Sequence, residues 1–406
     1  VQYPATSFID NGPFVNGTTY FYKVKSRNAN VVPQDSPYSA ETSLVFRKPN
    51  FVVSSTVVSN LLAVSIGSYW ADFNNDGLED LFTLNYDFAT EVGSPVIFKN
   101  LGTGNFLQIS VSIDQERYFL GLSADFNNDG FSDIAFSIDD KSRFDIYRGN
   151  GDFTFTKLTD LEKGDIALIS NEIAGASSAD FNNDGRMDIL VVSQDNSTDK
   201  PELFKQNVGG SFTKVSGGDL ALDFNEYFSS SWADYDNDGD QDVVIANTNG
   251  VCNLYKNNGN ETFSLTTGIG FDATEAFSFA WGDYNNDGHL DIYAAMSTQT
   301  ALYKNNGNGT FTKDISTSMS EPFFGVSASW GDINNDGLLD LITPVLFNSS
   351  TRLFVNTSTV STTSFTKIIT EKISDPKISH YGSALHDYDK DGFLDLFMSS
   401  FYFNSF

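Results

Sequence analysis

Basic residues are scarce in this chain of 406 residues, where Lys and Arg number 24 against 53 Asp and Glu. The formal net charge of -29 repels nucleic-acid phosphates and anionic membrane surfaces, so the expected partners are cations instead. The chain also lacks an apolar run of the roughly 20 residues that a helix needs to cross a bilayer, so direct membrane insertion is not expected. No charged and then apolar leader opens the sequence, which favours a soluble piece that is mature or excised.

Cysteine and histidine are nearly absent. The single cysteine, Cys252, excludes an intramolecular disulfide, so packing or a metal must hold the chain together. Cys252 stands in an apolar stretch with no histidine nearby, which is typical of a buried side chain. With three histidines and no nucleophile elbow, zinc-binding helix motif or phosphate loop, the sequence predicts no enzyme and no catalytic residue.

One nine-residue motif, D-x-[N/D]-x-D-G-x-x-D, returns at nearly regular intervals along the chain. We call its copies acidic loops 1 to 7, and they span residues 72–80, 125–133, 180–188, 234–242, 283–291, 332–340 and 387–395. Their starts lie 53, 55, 54, 49, 49 and 55 residues apart. This period of about 50 residues indicates a repeat architecture in which each copy belongs to one supersecondary unit.

The flanks of each copy predict a unit of four β-strands. A short stretch that ends in a small residue precedes the motif, as at residues 68–71, and an apolar, β-prone run follows it, as at residues 189–192. A hairpin with Asn and Gly at its turn comes next, most clearly at residues 302–311. Four-stranded sheets repeated around a ring make a β-propeller, so the predicted fold is all-β with seven blades.

The seventh unit contains only half of this pattern, because no such hairpin follows acidic loop 7. Residues 43–53 resemble the missing half, or at least its outer strand at residues 51–55. We therefore expect N-terminal strands around residues 44–55 to complete the last blade and close the ring. The alternatives are a longer parent chain or a strand borrowed from a neighbouring molecule.

Each acidic loop places oxygen-bearing side chains at positions 1, 3, 5 and 9 around a Gly at position 6. Hard oxygen donors in a tight turn select a hard cation, and calcium tolerates such irregular geometry better than magnesium does. Turn formation alone does not require the distant carboxylate at position 9. The sequence thus predicts up to seven calcium ions, which would move the formal charge from -29 to about -15. The predicted side-chain ligands are Asp72, Asn74, Asp76, Asp80, Asp125, Asn127, Asp129, Asp133, Asp180, Asn182, Asp184, Asp188, Asp234, Asp236, Asp238, Asp242, Asp283, Asn285, Asp287, Asp291, Asp332, Asn334, Asp336, Asp340, Asp387, Asp389, Asp391 and Asp395.

The motif, its period and the Asn-Gly-x-Gly-x-Phe hairpin resemble the FG-GAP or VCBS repeats of integrin α-subunit propellers and of many secreted microbial and algal proteins. The resemblance covers about residues 51–406. It implies calcium in the loops on one face and a role in adhesion, ligand binding or scaffolding. The chain departs from the integrin pattern, since Phe324-Gly325 is its one clear Phe-Gly pair and no Gly-Ala-Pro follows.

Residues 1–46 lack the repeat and form a separate predicted segment before the propeller at residues 47–406. Residues 18–24 alternate like a strand and are followed by a return, a pattern that resembles the second half of a fibronectin type III domain, with Tyr20 at the tyrosine-corner position. These strands belong either to a trimmed multidomain parent or to a segment that docks on the propeller or on a neighbouring subunit.

Together these patterns predict a secreted or cell-surface, non-catalytic adhesion or structural module, of which a subunit of a surface or filamentous assembly joined by strand exchange is one form. Its expected partners are an extracellular protein, a glycan or copies of itself. A lectin-like propeller is the alternative, although Trp70, Trp232, Trp281 and Trp330 share one register, which favours packing between blades over sugar stacking. A secreted propeller enzyme such as a polysaccharide lyase is less favoured. Six Asn-x-Ser/Thr sequons suit a glycoprotein, but chance predicts a similar number.

Overall fold

The structure, a computed structural model, describes residues 19–22, 27–28, 34–35, 42–45 and 64–401. The last range has gaps at residues 88–91, 103, 115, 139–140, 170–171, 194–199, 224, 226, 298–299, 315–318, 320–324, 346–350, 359–361 and 369–378. Among the described residues, helix is confined to connections, as α1 (Asp160–Lys163) and two 3-10 turns (Asp165–Leu168 and Leu220–Leu222). The fold is therefore all-β, as predicted.

Two short antiparallel strand pairs precede the repeats. Strand β1 (Thr19–Tyr22) pairs with β4 (Thr42–Val45), and β2 (Arg27–Asn28) pairs with β3 (Gln34–Asp35). The fibronectin type III identity of residues 1–46 stays a prediction. The predicted outer strand at residues 51–55 lies outside the described residues.

Six antiparallel sheets of four strands each follow, and we call them blades 1 to 6. Within each blade the strands pair in chain order. Blade 1 comprises β5 (Val64–Ala71), β6 (Asp80–Asp87), β7 (Val92–Asn100) and β8 (Phe106–Ile109). Blade 2 comprises β9 (Tyr118–Ala124), β10 (Asp133–Ile138), β11 (Lys141–Gly149) and β12 (Phe155–Lys157). Blade 3 comprises β13 (Ile173–Ala179), β14 (Asp188–Ser193), β15 (Glu202–Gln206) and β16 (Phe212–Lys214).

The second half of the ring repeats this pattern. Blade 4 comprises β17 (Ser229–Ala233), β18 (Asp242–Ala246), β19 (Asn253–Asn257) and β20 (Phe263–Leu265). Blade 5 comprises β21 (Ala276–Gly282), β22 (Asp291–Met296), β23 (Ala301–Asn305) and β24 (Phe311–Asp314). Blade 6 comprises β25 (Ser329–Gly331), β26 (Asp340–Thr343), β27 (Arg352–Asn356) and β28 (Phe365–Ile368). Because the second strand of each blade is covered on both faces, it reads as a continuous apolar run.

The seventh copy of the motif lies in a sheet of two strands, β29 (Ser379–His386) and β30 (Asp395–Phe401), which we call the seventh unit. Its inner strand β29 packs beside β25 of blade 6 and β5 of blade 1, so seven first strands surround the axis. Six blades are complete among the described residues, so the predicted count of seven complete blades is not confirmed. The reason is a matter of pairing, because Thr42–Val45, part of the predicted complement, pairs with β1 instead.

Aromatic side chains fill the junctions between neighbouring units, as the shared register of the tryptophans predicts. Trp232 of blade 4 packs on Phe263 and donates its indole N–H to Ser177 Oγ of blade 3 at 2.9 Å. Trp330 of blade 6 donates to the Ala280 carbonyl of blade 5 at 3.1 Å. The apolar core is thus distributed between units, with one buried cluster at each of the six junctions from blade 1 to the seventh unit.

The junction that closes the ring is also aromatic, although the indole N–H of Trp70 has no hydrogen-bond partner among the described residues. The rings of Trp70 in blade 1 and Tyr388 in the seventh unit are stacked with centroids 6.1 Å apart. Phe106 completes the contact at 5.1 Å from Tyr388, and His386 lies 5.5 Å from Trp70. The seventh unit therefore docks on blade 1 through aromatic packing of the kind that joins the complete blades.

Among the described residues, no helix has both the length and the apolar character that a membrane span requires.

Candidate metal centres

All seven acidic loops join the first strand of a unit to its second strand, so they lie on one face of the propeller. In acidic loop 2 the carboxylate of Asp125 accepts hydrogen bonds from the amides of Asp129 at 3.2 Å and Gly130 at 2.8 Å. Asp129 in turn accepts from the amide of Phe131 at 2.9 Å. The carboxylates at positions 1 and 5 thus hold the loop in a tight turn through hydrogen bonds from its backbone amides. Gly130, with φ 88°, occupies a conformation that favours glycine.

The aspartate at position 9 connects the loop to the outer half of the blade. Asp133 accepts hydrogen bonds from the amides of Phe126 in the loop and Gly149 at the end of β11, both at 2.8 Å. The third-strand amide makes the same bond to position 9 in all six blades, from Asn100, Gly149, Gln206, Asn257, Asn305 and Asn356 at 2.7–2.8 Å. This carboxylate therefore has a structural role in addition to its predicted role as a ligand.

Burial changes the ionisation of these position 9 aspartates. Burial raises the pKa of Asp80 to about 6 and that of Asp340 to about 8, and the carboxylates at positions 1 and 5 of the same loop add like-charge repulsion. Backbone amides that donate to both carboxylates oppose this rise. The loops consequently hold carboxylates whose charge is poorly compensated by the protein alone.

The donor set fits a hard divalent cation. In acidic loop 4, carboxylate oxygens of Asp234, Asp236 and Asp242 lie within 4.8 Å of one another, and Asp236 Oδ1 is buried without a hydrogen-bond partner. In acidic loop 7, Asp387, Asp389 and Asp395 are grouped in the same way. All-oxygen sets of this kind match calcium, which would neutralise the clustered charge when bound.

Basic side chains from the third strands contact several of the same carboxylates. Lys99 lies 3.0 Å from Asp76, and Lys304 lies 3.2 Å from Asp287, each at position 5 of its loop. Lys256 contacts both Asp236 and Asp238 in acidic loop 4. In three of the loops, therefore, an ammonium group of the protein already offsets part of the negative charge.

The residue at position 4 links each acidic loop to the next. Asn128 donates a side-chain N–H to the carbonyl of Gly185 at 2.7 Å, and Asn335 donates to Gly392 at the same distance. Equivalent bonds run from Asn75 to Gly130, Asn183 to Gly239, Asn237 to Gly288 and Asn286 to Gly337. Lys390 in acidic loop 7 donates to the carbonyl of Gly77 in acidic loop 1 and closes the circle. The seven loops thus form one continuous hydrogen-bonded ring.

Sequence reasoning selected positions 1, 3, 5, 6 and 9, and the structure brings these residues together within each loop. It overlooked position 4, which is Asn in six loops and adopts positive φ in all seven, between 53° and 60°. Asn tolerates this left-handed conformation better than most residues, so its recurrence was an available signal. The third-strand Asn was also overlooked. The side chain of Asn305, for example, donates to the carbonyl of Tyr235 in the preceding loop at 2.7 Å.

Comparisons with known proteins agree with this geometry. The family model described as FG-GAP-like repeat matches residues 125–191, 180–245, 234–294 and 283–343, which together cover more than half of the chain. A comparison with curated protein sequences finds no match.

Solved structures share the fold at low sequence identity. The lectin from Agrocybe aegerita, described by its recognition of non-reducing terminal N-acetylglucosamine, is 16% identical with a TM-score of 0.57, over 88% of this chain and 90% of the lectin. BBS1N, solved in complex with ARL6DN, is 12% identical with a TM-score of 0.50, over 84% and 94% of the two chains. The extracellular domain of a putative hybrid two-component system from B. thetaiotaomicron is 13% identical with a TM-score of 0.50, over 87% and 40%. Motif, ring geometry and family match agree, and the chain belongs to the FG-GAP-like repeat family of β-propellers.

Proposed function

We propose that this propeller is a non-catalytic, calcium-stabilised module of the extracellular adhesion or structural type, secreted or held at a cell surface. The observation that supports the proposal best is the ring of seven acidic loops. Each loop gathers oxygen donors around one turn, and each is hydrogen bonded to the next. Calcium outside cells is abundant enough to fill loops of modest affinity, whereas cytosolic calcium is not.

Calcium would compensate the clustered negative charge in this arrangement. The predicted ligands include 23 aspartates crowded into seven clusters, and the chain carries a formal charge of -29. Like-charge repulsion on one face destabilises a compact fold unless cations compensate it. Bound calcium would therefore make the ring a rigid platform, and the rest of the surface would be available for a ligand.

Isothermal titration of the chelated protein with calcium tests this proposal. We expect several ions to bind per chain, up to seven, together with a rise in thermal stability. Magnesium at equal concentration serves as the matched control, since it should stabilise far less. A chain that binds no calcium at millimolar concentration contradicts the proposal.

Assembly through strand exchange is the finer part of the proposal, and it is motivated by the seventh unit with its two strands. Light scattering in calcium and in excess chelator tests it. Growth to large species in calcium that is lost on chelation, or on deletion of residues 1–46, supports assembly. A mass that stays near 44.6 kDa under both conditions contradicts it.

A glycan-binding role is the second candidate, and the shared fold with the Agrocybe aegerita lectin favours it. The four tryptophans do not contribute to this argument, since three of them donate their indole N–H to the preceding blade. A glycan array with the calcium-loaded protein tests this role. Selective, saturable binding to one class of terminal sugar supports it, and uniform background binding excludes it for the glycans on the array.

A further inference from the structure

The outer edge of β30 in the seventh unit differs from its six counterparts. Second strands in the complete blades are buried, and Ile292 and Tyr293 of β22 have no exposed surface. The equivalent residues Leu396 and Phe397 are partly exposed, as is Met398. Burial of such apolar area stabilises a protein or a complex. Among the described residues β30 pairs with β29 alone, and an apolar strand with one unpaired edge is a site for a further strand.

The carboxylate at position 9 of the seventh unit accepts fewer hydrogen bonds from the described residues than its counterparts in the complete blades do. Asp340 accepts two backbone amides, one from Ile333 in the loop at 3.1 Å and one from Asn356 in the third strand at 2.8 Å. Among the described residues, Asp395 accepts the amide of Tyr388 at 3.3 Å and none from a third strand. A strand placed beside β30 would supply the amide that every complete blade has.

The complete blades show which sequence fits this edge. Their third strands end in an apolar residue, an aromatic residue, usually a basic residue, and then Asn, Gln or Gly, as in Leu302-Tyr303-Lys304-Asn305. The lysine contacts position 5 of the loop, and the Asn side chain donates to the preceding loop at 2.7 Å. The counterparts in the seventh unit are Asp391 at position 5 and Ile333 in acidic loop 6. Charge and shape at the edge therefore select a basic, Asn-terminated strand.

The outer edges of the complete blades carry different side chains from the edge of β30. Their fourth strands carry exposed polar and basic residues, such as Thr312 and Lys313 in β24 and Thr213 and Lys214 in β16. Lysine on an edge strand opposes pairing with another chain. Leu107 of β8 and Leu265 of β20 are exposed as well. The edge of β30 differs from these edges because three successive partly exposed apolar residues, 396–398, directly follow the position 9 carboxylate.

We propose that the edge of β30 is an acceptor for an extended strand of another polypeptide, with the sequence pattern apolar, aromatic, basic, Asn. The strand pairs with β30, and the backbone amide of its Asn donates to Asp395. Its basic side chain contacts Asp391. This inference extends the strand-exchange part of the proposed function by naming the acceptor edge and the chemistry of its occupant. Such β-strand addition takes affinity from main-chain hydrogen bonds and specificity from alternate side chains.

A labelled synthetic peptide that copies residues 301–314, the third and fourth strands of blade 5 with their turn, tests the proposal. We expect saturable binding of one peptide per full-length chain by fluorescence anisotropy. Peptides with Lys304→Met or Asn305→Ala should bind about two- to tenfold more weakly, as expected for the loss of one hydrogen bond. A scrambled peptide of equal composition should not bind.

Two variants of the protein locate the binding site. Phe397→Ser removes apolar surface from β30 and should weaken binding about tenfold or more. Leu107→Ser removes an exposed leucine from the outer strand of blade 1 and should leave binding unchanged. The melting temperature of each variant checks that it is folded, and hydrogen exchange should show new protection of β30 in the wild-type complex.

Absence of saturable binding, or equal binding of the scrambled peptide, overturns the acceptor edge. The same result follows if the chain's own segment around Phe51 fills the edge, because the peptide would then be excluded. Calcium titration and light scattering of the same preparation report on the proposed function independently. A protein that binds calcium but not the peptide would therefore refute only the acceptor edge.

Discussion

Blade 5 and the seventh unit begin with the same acidic loop between two antiparallel strands, yet they differ in what lies outside those strands. In blade 5 the amide of Asn305 donates to Asp291 at 2.7 Å, and Asp291 has no exposed surface. In the seventh unit Asp395 is partly exposed and accepts one amide from its own loop among the described residues. The first two strands are thus sufficient to place the loop, while the third strand buries and fixes it.

This comparison separates two features of every complete blade, namely its attachment to the ring and the burial of its position 9 carboxylate. Ring membership depends on the loop-to-loop bonds and on aromatic junctions, both of which the seventh unit has. Burial of the position 9 carboxylate depends on the third strand, which the described part of that unit does not include. Substitutions at equivalent positions in the two regions should therefore have unequal effects.

Removal of calcium should have the largest effect. A cation that binds the native state at a hundredfold excess over its Kd contributes about 2.7 kcal/mol per site. With several sites, excess chelator should lower the melting temperature by roughly 10 °C or more, given about 1–2 °C per kcal/mol for a domain of about 350 residues. Scanning calorimetry with and without chelator measures this, and an unchanged Tm would contradict calcium stabilisation.

The pH dependence of stability should have opposite signs in the calcium-free and the calcium-bound protein. Burial raises the native pKa of Asp80 to about 6 and those of Asp291 and Asp340 to about 8, above the unfolded value of 3.8. A raised native pKa contributes stability below the unfolded pKa that is lost as pH rises through the native pKa. In chelator, Tm should thus fall between pH 5 and pH 8.5.

Calcium binds the ionised carboxylates in competition with protons, so in calcium Tm should rise over the same pH range. Melting curves at matched ionic strength check both slopes. Equal slopes in the two conditions would show that these aspartates do not bind the cation.

The next largest effect should come from position 9 itself. Asp340→Ala leaves two amides without an acceptor and removes a predicted ligand, whereas Asp395→Ala removes a predicted ligand and the acceptor of one amide. An orphaned buried donor costs about 1–3 kcal/mol. Asp340→Ala should therefore lower the free energy of unfolding by about 1–3 kcal/mol more than Asp395→Ala, as measured by chemical denaturation in calcium. Equal losses would mean that the third-strand amide contributes nothing.

Loss of one link in the loop ring should cost less. Asn128→Gly retains the positive φ of position 4 and removes the side-chain donor to Gly185, so it should cost about 0.5–1.5 kcal/mol. Lys390→Gly removes the link that joins the seventh unit to blade 1. Similar losses for both variants in chemical denaturation would show a closed ring. No loss for Lys390→Gly alone would show that the seventh unit is held by its aromatic junction instead.

Much of this architecture was predictable because the determinants are local. Asp at positions 1 and 5 and Gly at position 6 specify a turn by bonds within nine residues, and the apolar run after position 9 specifies a buried strand. The blade count was not predictable in the same way. It depends on which strand pairs with β30, and the pattern at residues 43–53 did not reveal that Thr42–Val45 pairs with Thr19–Tyr22.

The links between units were also hidden from sequence reasoning. Asn at position 4 looks like ordinary turn chemistry, since it stands beside the Asn or Asp of position 3. Its role depends on a carbonyl roughly 50 residues away, as for Asn237 and Gly288. Periodicity predicts that such contacts repeat once one is known, but it does not identify the first.

The smallest effect on stability, and the most selective effect on calcium, should come from Lys256. Its ammonium contacts Asp236 and Asp238 in acidic loop 4, and pairs of this partly exposed kind contribute less than about 1 kcal/mol. Lys256→Met should therefore leave stability in chelator nearly unchanged. It should also tighten calcium binding at acidic loop 4 a fewfold, because no ammonium group then competes for the carboxylates. Lys205→Met is the matched control, since Lys205 contacts Glu261 in the neighbouring hairpin instead of an acidic loop. If calorimetric titration shows the same change for both variants, the effect reflects net charge, and the third-strand lysines have no part in setting the affinity of individual loops.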